Sequence, residues 1–487
     1  METHIQAVDD ALIDSLSFKL PNSANFINDR RSVSFFPSGG NSYSPQGVKI
    51  IKFVITGNDW LDPSSVRIQF RLNNPNAAPM RLLNPLPANF FRRLRIIAGG
   101  QVIEDIDCYN RVYNMIHMML PTERRLNDAA EGFGLGEMHP MNRDVSDNII
   151  GLQSLLYSPF VIPQSSRVVL FPLLCGIFNQ SKFLPLKYLQ GLQIKLEVIN
   201  NFTDAICVQT PAIAGGGAAV GDPFANNWSI SEAQVKCDVV SLDNTLDNEY
   251  TSHLLQGKSL PLNFSSFVHQ VQAVGGTDRP VIAMSRAFTR LKTVFVTFYK
   301  RPITHINLGY VPEAREALHL PLRESTFFWH PQYLYPGLSV YNHTDLDAAL
   351  PNGWWSFQWQ TEVEAQLQIG SKLFPEMPMR SSAESYYQLR KALGSHRPSS
   401  TYAVNIASRE YRTTKYVLAF DCEKQTNVGF TGINTRSGDL ITIKIQNLQH
   451  VCGVAAYDAN SYADFMHTTL EYDAILSITD AGVTVLE

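Results

Sequence analysis

The chain has 487 residues and a formal net charge of −4, with 40 Lys and Arg residues against 44 Asp and Glu residues. A near-neutral chain is not a general nucleic-acid binder, because non-specific affinity comes from many Lys and Arg contacts to phosphate. Only 17% of the residues are charged, against about 25% in an average soluble chain, which indicates that much of the surface lies against other surfaces rather than water. The length suits two large β domains as well as three smaller domains.

The N-terminal residues 1–45 are rich in Ser and Asn and lack the strand pattern found later in the chain. They predict an extended arm that needs a partner to order it. The chain begins without basic residues and without a following apolar run, so we expect no signal peptide. No stretch reaches the roughly 18–20 apolar residues of a membrane-spanning helix, so we expect none.

Alternation of apolar and polar residues with a period of two dominates the rest of the chain. It is clearest at residues 66–72, 192–198, 235–239 and 362–369. Because successive side chains of a strand point to opposite faces, each segment is predicted to bury one face and to expose the other. This pattern is typical of antiparallel sheets, since buried parallel strands are apolar throughout.

Turn and helix signals lie between these segments. Gly99 and Gly100 predict a tight hairpin turn, because glycine accepts the positive φ angles that such turns need. The apolar spacing at residues 112–120 predicts a helix that Pro121 ends, and we expect it to close the open end of a sandwich.

A second helix is predicted from its end signals. Ser381 and Glu384 have the spacing of a capping box, in which two side chains satisfy the first backbone N–H groups of a helix. Gly394 lies at the position where a glycine is expected to end this helix at its C-terminus. Helices are otherwise expected to be few and short.

The alternating segments fall into two groups of roughly eight strands each, which predicts an all-β chain. We expect two consecutive antiparallel eight-stranded jelly rolls, over residues 46–245 and 259–487, joined by a connector at residues 246–258. The segments 210–227 and 301–352 lack a strand pattern, and loops of that length are functional or decorate the surface.

The chain shows little sign of catalytic or metal chemistry. Its twelve His residues are widely separated, the closest two being His319 and His330, so no local pair of metal ligands is formed, although ligands from distant strands can still converge. The six Cys residues have no C-x-x-C spacing and are predicted to be free, mostly buried thiols. The chain has no G-x-S-x-G elbow. We therefore predict no catalytic residue, no metal, no cofactor and no enzyme activity.

Three further features have two interpretations each. Glu362 and Glu364 share one face of a strand, as glycosidase carboxylates do, but a solvated strand face explains them as well. The basic pairs at residues 30–31, 92–93 and 124–125 are isolated, which favours ordinary surface charge over weak nucleic-acid contact. The aromatic cluster of Trp354, Trp355 and Trp359 is interpreted as core filling, with an interface anchor or sugar-stacking platform as the alternative.

Four segments resemble parts of viral double-jelly-roll major capsid proteins. They are residues 184–194 (LPLKYLQGLQI), 368–375 (QIGSKLFP), 429–435 (GFTGINT) with Gly438, Asp439 and Leu440, and 478–483 (ITDAGV). Together they look most like the capsid proteins of Polinton-like viruses and related small double-stranded DNA viruses and virophages. The resemblance extends from about residue 46 to the end of the chain, and is weakest at residues 210–228 and 301–352.

The resemblance implies an assembly role. Each jelly roll would stand upright to the capsid surface, and three chains would form a homotrimer of pseudo-hexagonal outline that tiles an icosahedral shell. The implied partners are neighbouring trimers, minor capsid or penton proteins, and an internal membrane near the N-terminal arm where one is present, with no sequence-specific nucleic acid. The implied location is the virion capsid, assembled inside the host cell. No catalytic residue or cofactor is implied.

Two other functions remain open. The first is a receptor- or glycan-binding β-sandwich component of the virion, of the spike or penton type, which would use the tryptophans at positions 354, 355 and 359 and would bind sugar without forming a lattice. The second is an enzyme on a β-sandwich, which predicts turnover that depends on a metal or on carboxylates.

Overall fold

The computed structural model describes most of the chain from residue 26 onward. The described residues are 26–77, 80–82, 86–134, 160–202, 205–206, 227–274, 277–299, 327–332, 362–395, 404, 406, 408–412, 415–425, 430–436, 439–448 and 463–487.

The first half of the chain forms a sandwich of a six-stranded and a four-stranded antiparallel sheet, with a small two-stranded sheet beside them. Its strands are β1 (Ile27–Phe35), β2 (Ser42–Tyr43), β3 (Ile50–Ile55), β4 (Trp60–Asn74), β5 (Met80–Arg81), β6 (Phe91–Ala98), β7 (Gln101–Ile106), β8 (Phe160–Val161), β9 (Ser165–Pro172), β10 (Leu184–Pro185), β11 (Leu192–Val198) and β12 (Ser229–Leu242). The larger sheet has the order β1-β12-β4-β10, with β2 on β12 and β9 on β4, and the smaller has the order β3-β11-β6-β7.

The second half forms another sandwich, of a five-stranded and a four-stranded sheet. Its strands are β13 (Leu260–Ala273), β14 (Val281–Ala283), β15 (Leu291–Tyr299), β16 (Glu364–Ile369), β17 (Lys372–Met379), β18 (Leu418–Asp421), β19 (Ile441–Gln446), β20 (Phe465–Thr479) and β21 (Gly482–Leu486). The orders are β13-β20-β15-β18, with β21 on β20, and β14-β19-β16-β17. Two antiparallel sandwiches in succession confirm the predicted fold class.

Helices are short. They are α1 (Tyr109–Met119), α2 (Thr122–Glu131), α3 (Asn244–Leu255), α4 (Ser382–Ala392) and α5 (Ser408–Tyr411), with 3-10 turns at Pro87–Phe90 and Gly176–Phe178. Within the residues that the structure describes, no helix is long and apolar enough to cross a membrane.

Alternating burial explains why the sheets face each other. The apolar residues of β4 from Val66 to Leu72 are at most 2% exposed, while the residues between them are partly exposed. Phe70 of the larger sheet meets Phe91 of the smaller sheet edge-on at 5.5 Å between ring centroids, and Phe91 stacks on Phe171 at 5.7 Å. Because rings from both sheets interlock, the core lies between them.

Two structural details concern the predicted division of the chain into arm, first jelly roll and connector. Residues assigned to the arm form β1, which pairs with β12 over Ile27↔Leu242 to Phe35↔Val235, so the first sandwich includes strand residues from Ile27 onward. The connector contains a helix, α3, whose N-terminus is capped by Asp243 through the Thr245 N–H at 3.1 Å. That helix packs against the first sandwich, with the Tyr250 ring 4.9 Å from Trp60.

Candidate functional site

The two sandwiches meet at a junction centred on Glu104 of β7. Its carboxyl group is 1% exposed and accepts hydrogen bonds from the backbone N–H groups of Gly176 at 2.9 Å and Ile177 at 2.7 Å. From the second sandwich, the hydroxyl of Ser266 on β13 donates to the same carboxyl group at 2.5 Å. Burial raises the pKa of Glu104, and these three hydrogen bonds oppose that rise. One buried side chain therefore links both sandwiches.

The junction also depends on the close approach of two backbones. A Cβ atom on Gly176 would lie 2.1 Å from the Ser265 carbonyl oxygen and 2.6 Å from the Phe264 ring. Glycine alone leaves room for the 3-10 turn Gly176–Phe178 to touch β13.

A second contact between the sandwiches comes from α1. The Arg111 guanidinium lies 4.1 Å from the Tyr299 ring centroid and 4.2 Å from the Phe327 ring centroid, and both rings belong to the second half of the chain. A guanidinium over an aromatic face is attracted by the ring quadrupole, more strongly when water is excluded. The helix thus attaches the first sandwich to the second.

The outermost strands of both four-stranded sheets expose large apolar side chains. Ile50 on β3 is 56% exposed and Val102 on β7 is 48% exposed. Val281 on β14 is 65% exposed and Met377 on β17 is 67% exposed. Exposed apolar edge strands favour pairing with other chains. Each of these four edge strands thus exposes at least one large apolar side chain.

The predicted glycines lie at turns. Gly99 and Gly100 connect β6 to β7 with φ angles of +54° and +80°. Gly394 follows α4 with φ of +66°, and its N–H donates to the Lys391 carbonyl oxygen at 3.0 Å. The Ser395 N–H donates to the Arg390 carbonyl oxygen at 2.9 Å, which completes a Schellman motif. The tryptophans at positions 354, 355 and 359 lie outside the described residues.

The candidate catalytic carboxylates and the basic pairs make hydrogen bonds and ion pairs within the fold. Glu362 accepts hydrogen bonds from the backbone N–H and the hydroxyl of Ser382 at the start of α4, and Glu364 lies 3.9 Å from Arg380. Five of the six arginines in the three basic pairs form ion pairs with carboxylates. These ion pairs are Arg30 with Asp62 and Asp238, Arg31 with Asp59, Arg92 with Asp107 and Glu197, Arg93 with Asp105, and Arg124 with Asp128.

The structure brings together histidines that are far apart in the chain. His269 of β13 and His467 of β20 are joined by a ring-to-ring hydrogen bond of 2.9 Å, although 198 residues separate them. Desolvation lowers the pKa of His269 and of His330 to about 3, and it lowers the pKa of His467 well below its usual value. We refer to these three residues as the low-pKa histidines. Local spacing could not reveal such a pair, because its members meet only after β13 and β20 pair.

Comparison with solved structures finds the same architecture in viral capsids. VP54 of PBCV-1, fitted into a reconstruction of the virophage Sputnik, matches with a TM-score of 0.57 at 13% identity, covering 96% of this chain and 99% of that one. A chain from the Sputnik virophage matches with a TM-score of 0.57 at 9% identity, covering 98% and 92%. The Faustovirus major capsid protein matches with a TM-score of 0.56 at 9% identity, covering 95% and 93%.

No family model matches the chain, and no curated protein matches it in sequence. The structural match covers both sandwiches of this chain and nearly the full length of the capsid chains. The chain therefore has the double-jelly-roll fold of viral major capsid proteins.

Proposed function

We propose that this chain is a major capsid protein that self-assembles into pseudo-hexagonal homotrimers, which tile the icosahedral shell of a double-stranded DNA virus. The observation that supports this most strongly is the match of both sandwiches, in one chain, to capsid chains over 92–99% of their length. A fold can host many functions, so the surface of this chain must also suit assembly.

The sheet edges suit such an assembly. Exposed apolar edge strands are an aggregation hazard unless something covers them. In a closed ring of three chains, each chain meets its neighbours through two different patches, so an edge of one sandwich can cover an edge of the next. The low fraction of charged residues, 17%, fits a chain that buries extensive apolar interfaces.

We propose a structural rather than an enzymatic role. Glu362 and Glu364, the carboxylate pair suggested by the sequence, bind the start of α4 and Arg380 respectively. Arginine pairs that face carboxylates are poor phosphate ligands, which supports a shell that makes no sequence-specific contact with nucleic acid.

The remaining partners and the location follow from this role. The protein would reside in the virion capsid after assembly inside the host cell, next to neighbouring trimers and minor capsid or penton proteins. The residues before β1 would lie at the capsid base, near an internal membrane where one is present.

Light scattering coupled to size-exclusion chromatography tests the proposal directly. The expected main species has three times the 54.6 kDa mass of the chain, and negative-stain images should show a hexagonal outline. A monomer at every salt and protein concentration, with no rings or sheets, would contradict the proposal.

Edge variants separate assembly from folding. Val281→Asp and Met377→Asp each place a charge on an exposed edge strand, so they should reduce trimer or lattice formation while leaving the melting temperature nearly unchanged. Leu255→Asp is the matched control, because Leu255 is 69% exposed at the end of α3 rather than on a sheet edge. Equal assembly by all three variants would show that the edges make no contacts between chains.

A further inference from the structure

Three side chains with metal-ligating atoms meet where the two sandwiches join. Cys108 precedes α1 in the first sandwich, whereas His269 and His467 belong to β13 and β20 of the second. One ligand atom from each lies within 4.8 Å of the others. The strand register explains the meeting of the histidines, because His269 pairs with Thr469 and Val271 pairs with His467, so both rings lie on one face of the sheet.

The ring nitrogens of the two histidines face each other at a distance close to that of two ligands on one metal ion. His269 Nδ1 is 2.9 Å from the Thr469 hydroxyl, and His269 Nε2 is 2.9 Å from His467 Nδ1. A metal-bound imidazole commonly donates its other ring N–H to an acceptor that fixes its orientation, and Thr469 occupies that place for His269. Tetrahedral zinc with bonds of about 2.0–2.1 Å holds two ligand nitrogens about 3.3 Å apart, so the pair needs only a small opening.

The protonation state also suits a cation. Desolvation lowers the pKa of His269 to about 3 and that of His467 well below its usual value, and the positive charge of Arg111 acts in the same direction. Both rings are therefore neutral near pH 7, which is the form that binds metal.

Charge at the cluster is set by two further groups. The positive charge of Arg111 acts on both rings and opposes a bare cation, so coordination requires Cys108 to bind as the thiolate and release one proton to solvent. The N-terminus of the eleven-residue helix α1, directly after Cys108, favours that negative charge.

We propose that Cys108, His269 and His467 bind one zinc ion that links the first sandwich to the second. One thiolate and two imidazoles are ligands that zinc accepts, whereas magnesium and calcium require oxygen ligands. With three protein ligands, water would complete a tetrahedral site. The link adds to the Glu104 contacts at the junction, and it does not depend on the capsid function.

Metal analysis of the full-length protein tests the site. Protein incubated with zinc chloride and then dialysed should retain about one zinc per chain, as in other sites with three protein ligands. Cys108→Ser and His467→Asn should each lose most of it. Cys237→Ser is the matched control, because Cys237 is a buried thiol on β12, and it should retain the zinc. Chelation should lower the melting temperature of the wild type by a few degrees and leave that of Cys108→Ser unchanged.

Cobalt substitution gives an independent readout that needs no histidine variant to fold. Wild-type protein loaded with cobalt chloride should show a thiolate-to-cobalt charge-transfer band in the near ultraviolet, and Cys108→Ser should lack it. Wild-type protein without bound zinc and without this band would overturn the proposal. So would wild-type zinc content in both the Cys108→Ser and His467→Asn variants.

Discussion

Replacing Gly176 by alanine should disrupt the junction between the two sandwiches. The added methyl group would lie 2.1 Å from the Ser265 carbonyl oxygen, where ordinary contact needs at least 3.4 Å. The backbone carbonyl of a residue in a paired strand cannot rotate away as a flexible side chain would. The 3-10 turn and β13 must therefore separate by about 1 Å.

The cost follows from two effects of that separation. Overpacking a close contact destabilises by about 1–3 kcal/mol. The shift also weakens the hydrogen bonds that Glu104 accepts from Gly176 and Ile177, each worth about 0.5–1.5 kcal/mol net. A total of about 3 kcal/mol corresponds to a fall in melting temperature of about 6–12 °C for a domain of this size.

Differential scanning calorimetry of the wild type and of two glycine variants measures this effect. Gly57→Ala is the control, because its Cβ would meet the Leu186 side chain at an ordinary 3.5 Å. We expect its melting temperature to stay close to that of the wild type, while Gly176→Ala melts much earlier. Equal melting temperatures for the two variants would refute the view that close packing at Gly176 holds the sandwiches together.

Three further predictions concern a turn, a helix cap and pH. Gly99→Val should destabilise the protein by about 1–3 kcal/mol, because valine is strained at the φ of +54° found there; an unchanged melting temperature would contradict this. Ser381→Ala should cost about 0.5–2 kcal/mol through loss of the 3.1 Å bond to the Glu384 N–H, and Ser381→Asp, which keeps an acceptor, should restore most of it. In metal-free protein the low-pKa histidines should make the free energy of unfolding fall as the pH drops below about 6.5, because the unfolded chain then binds protons that the folded chain does not. Each histidine contributes a fall of about 1.4 kcal/mol per pH unit. Glu104 has a raised pKa, so the folded chain binds one proton there as the pH falls, which partly offsets the effect of the three histidines. Urea unfolding at pH 6.5 and pH 5.0 should still show lower stability at pH 5.0. Higher stability at pH 5.0 would refute the view that these histidines are neutral in the folded chain.

Local patterns in the sequence predicted much of the fold. The alternation of apolar and polar residues at 66–72 and 192–198 predicted strands with one buried face, and the structure contains them. This periodicity depends only on neighbouring residues. The capping box at Ser381 also depends on residues close in the chain. The helix predicted at residues 112–120 is observed as Tyr109–Met119, and its start at the left-handed residue Cys108 left no pattern to detect.

Structural features that depend on residues far apart in the chain could not be predicted from local sequence patterns. The mostly polar sequence of β1 does not indicate that it pairs with β12, 200 or more residues away, so the sequence alone predicts an arm there. The α2 helix follows Pro121 directly and was not predicted, because it contains few apolar residues and none of its residues is fully buried.

The sequence by itself determined the class of fold, the turn at Gly99 and Gly100, and the two ends of α4, because each is governed by residues within a few positions of one another. Only the tertiary structure decided which polar groups meet at the junction. Glu104 lies 162 residues from Ser266, and His269 lies 198 residues from His467. Their contacts arise from strand pairing and from the packing of one sandwich on the other, and no local spacing encodes either.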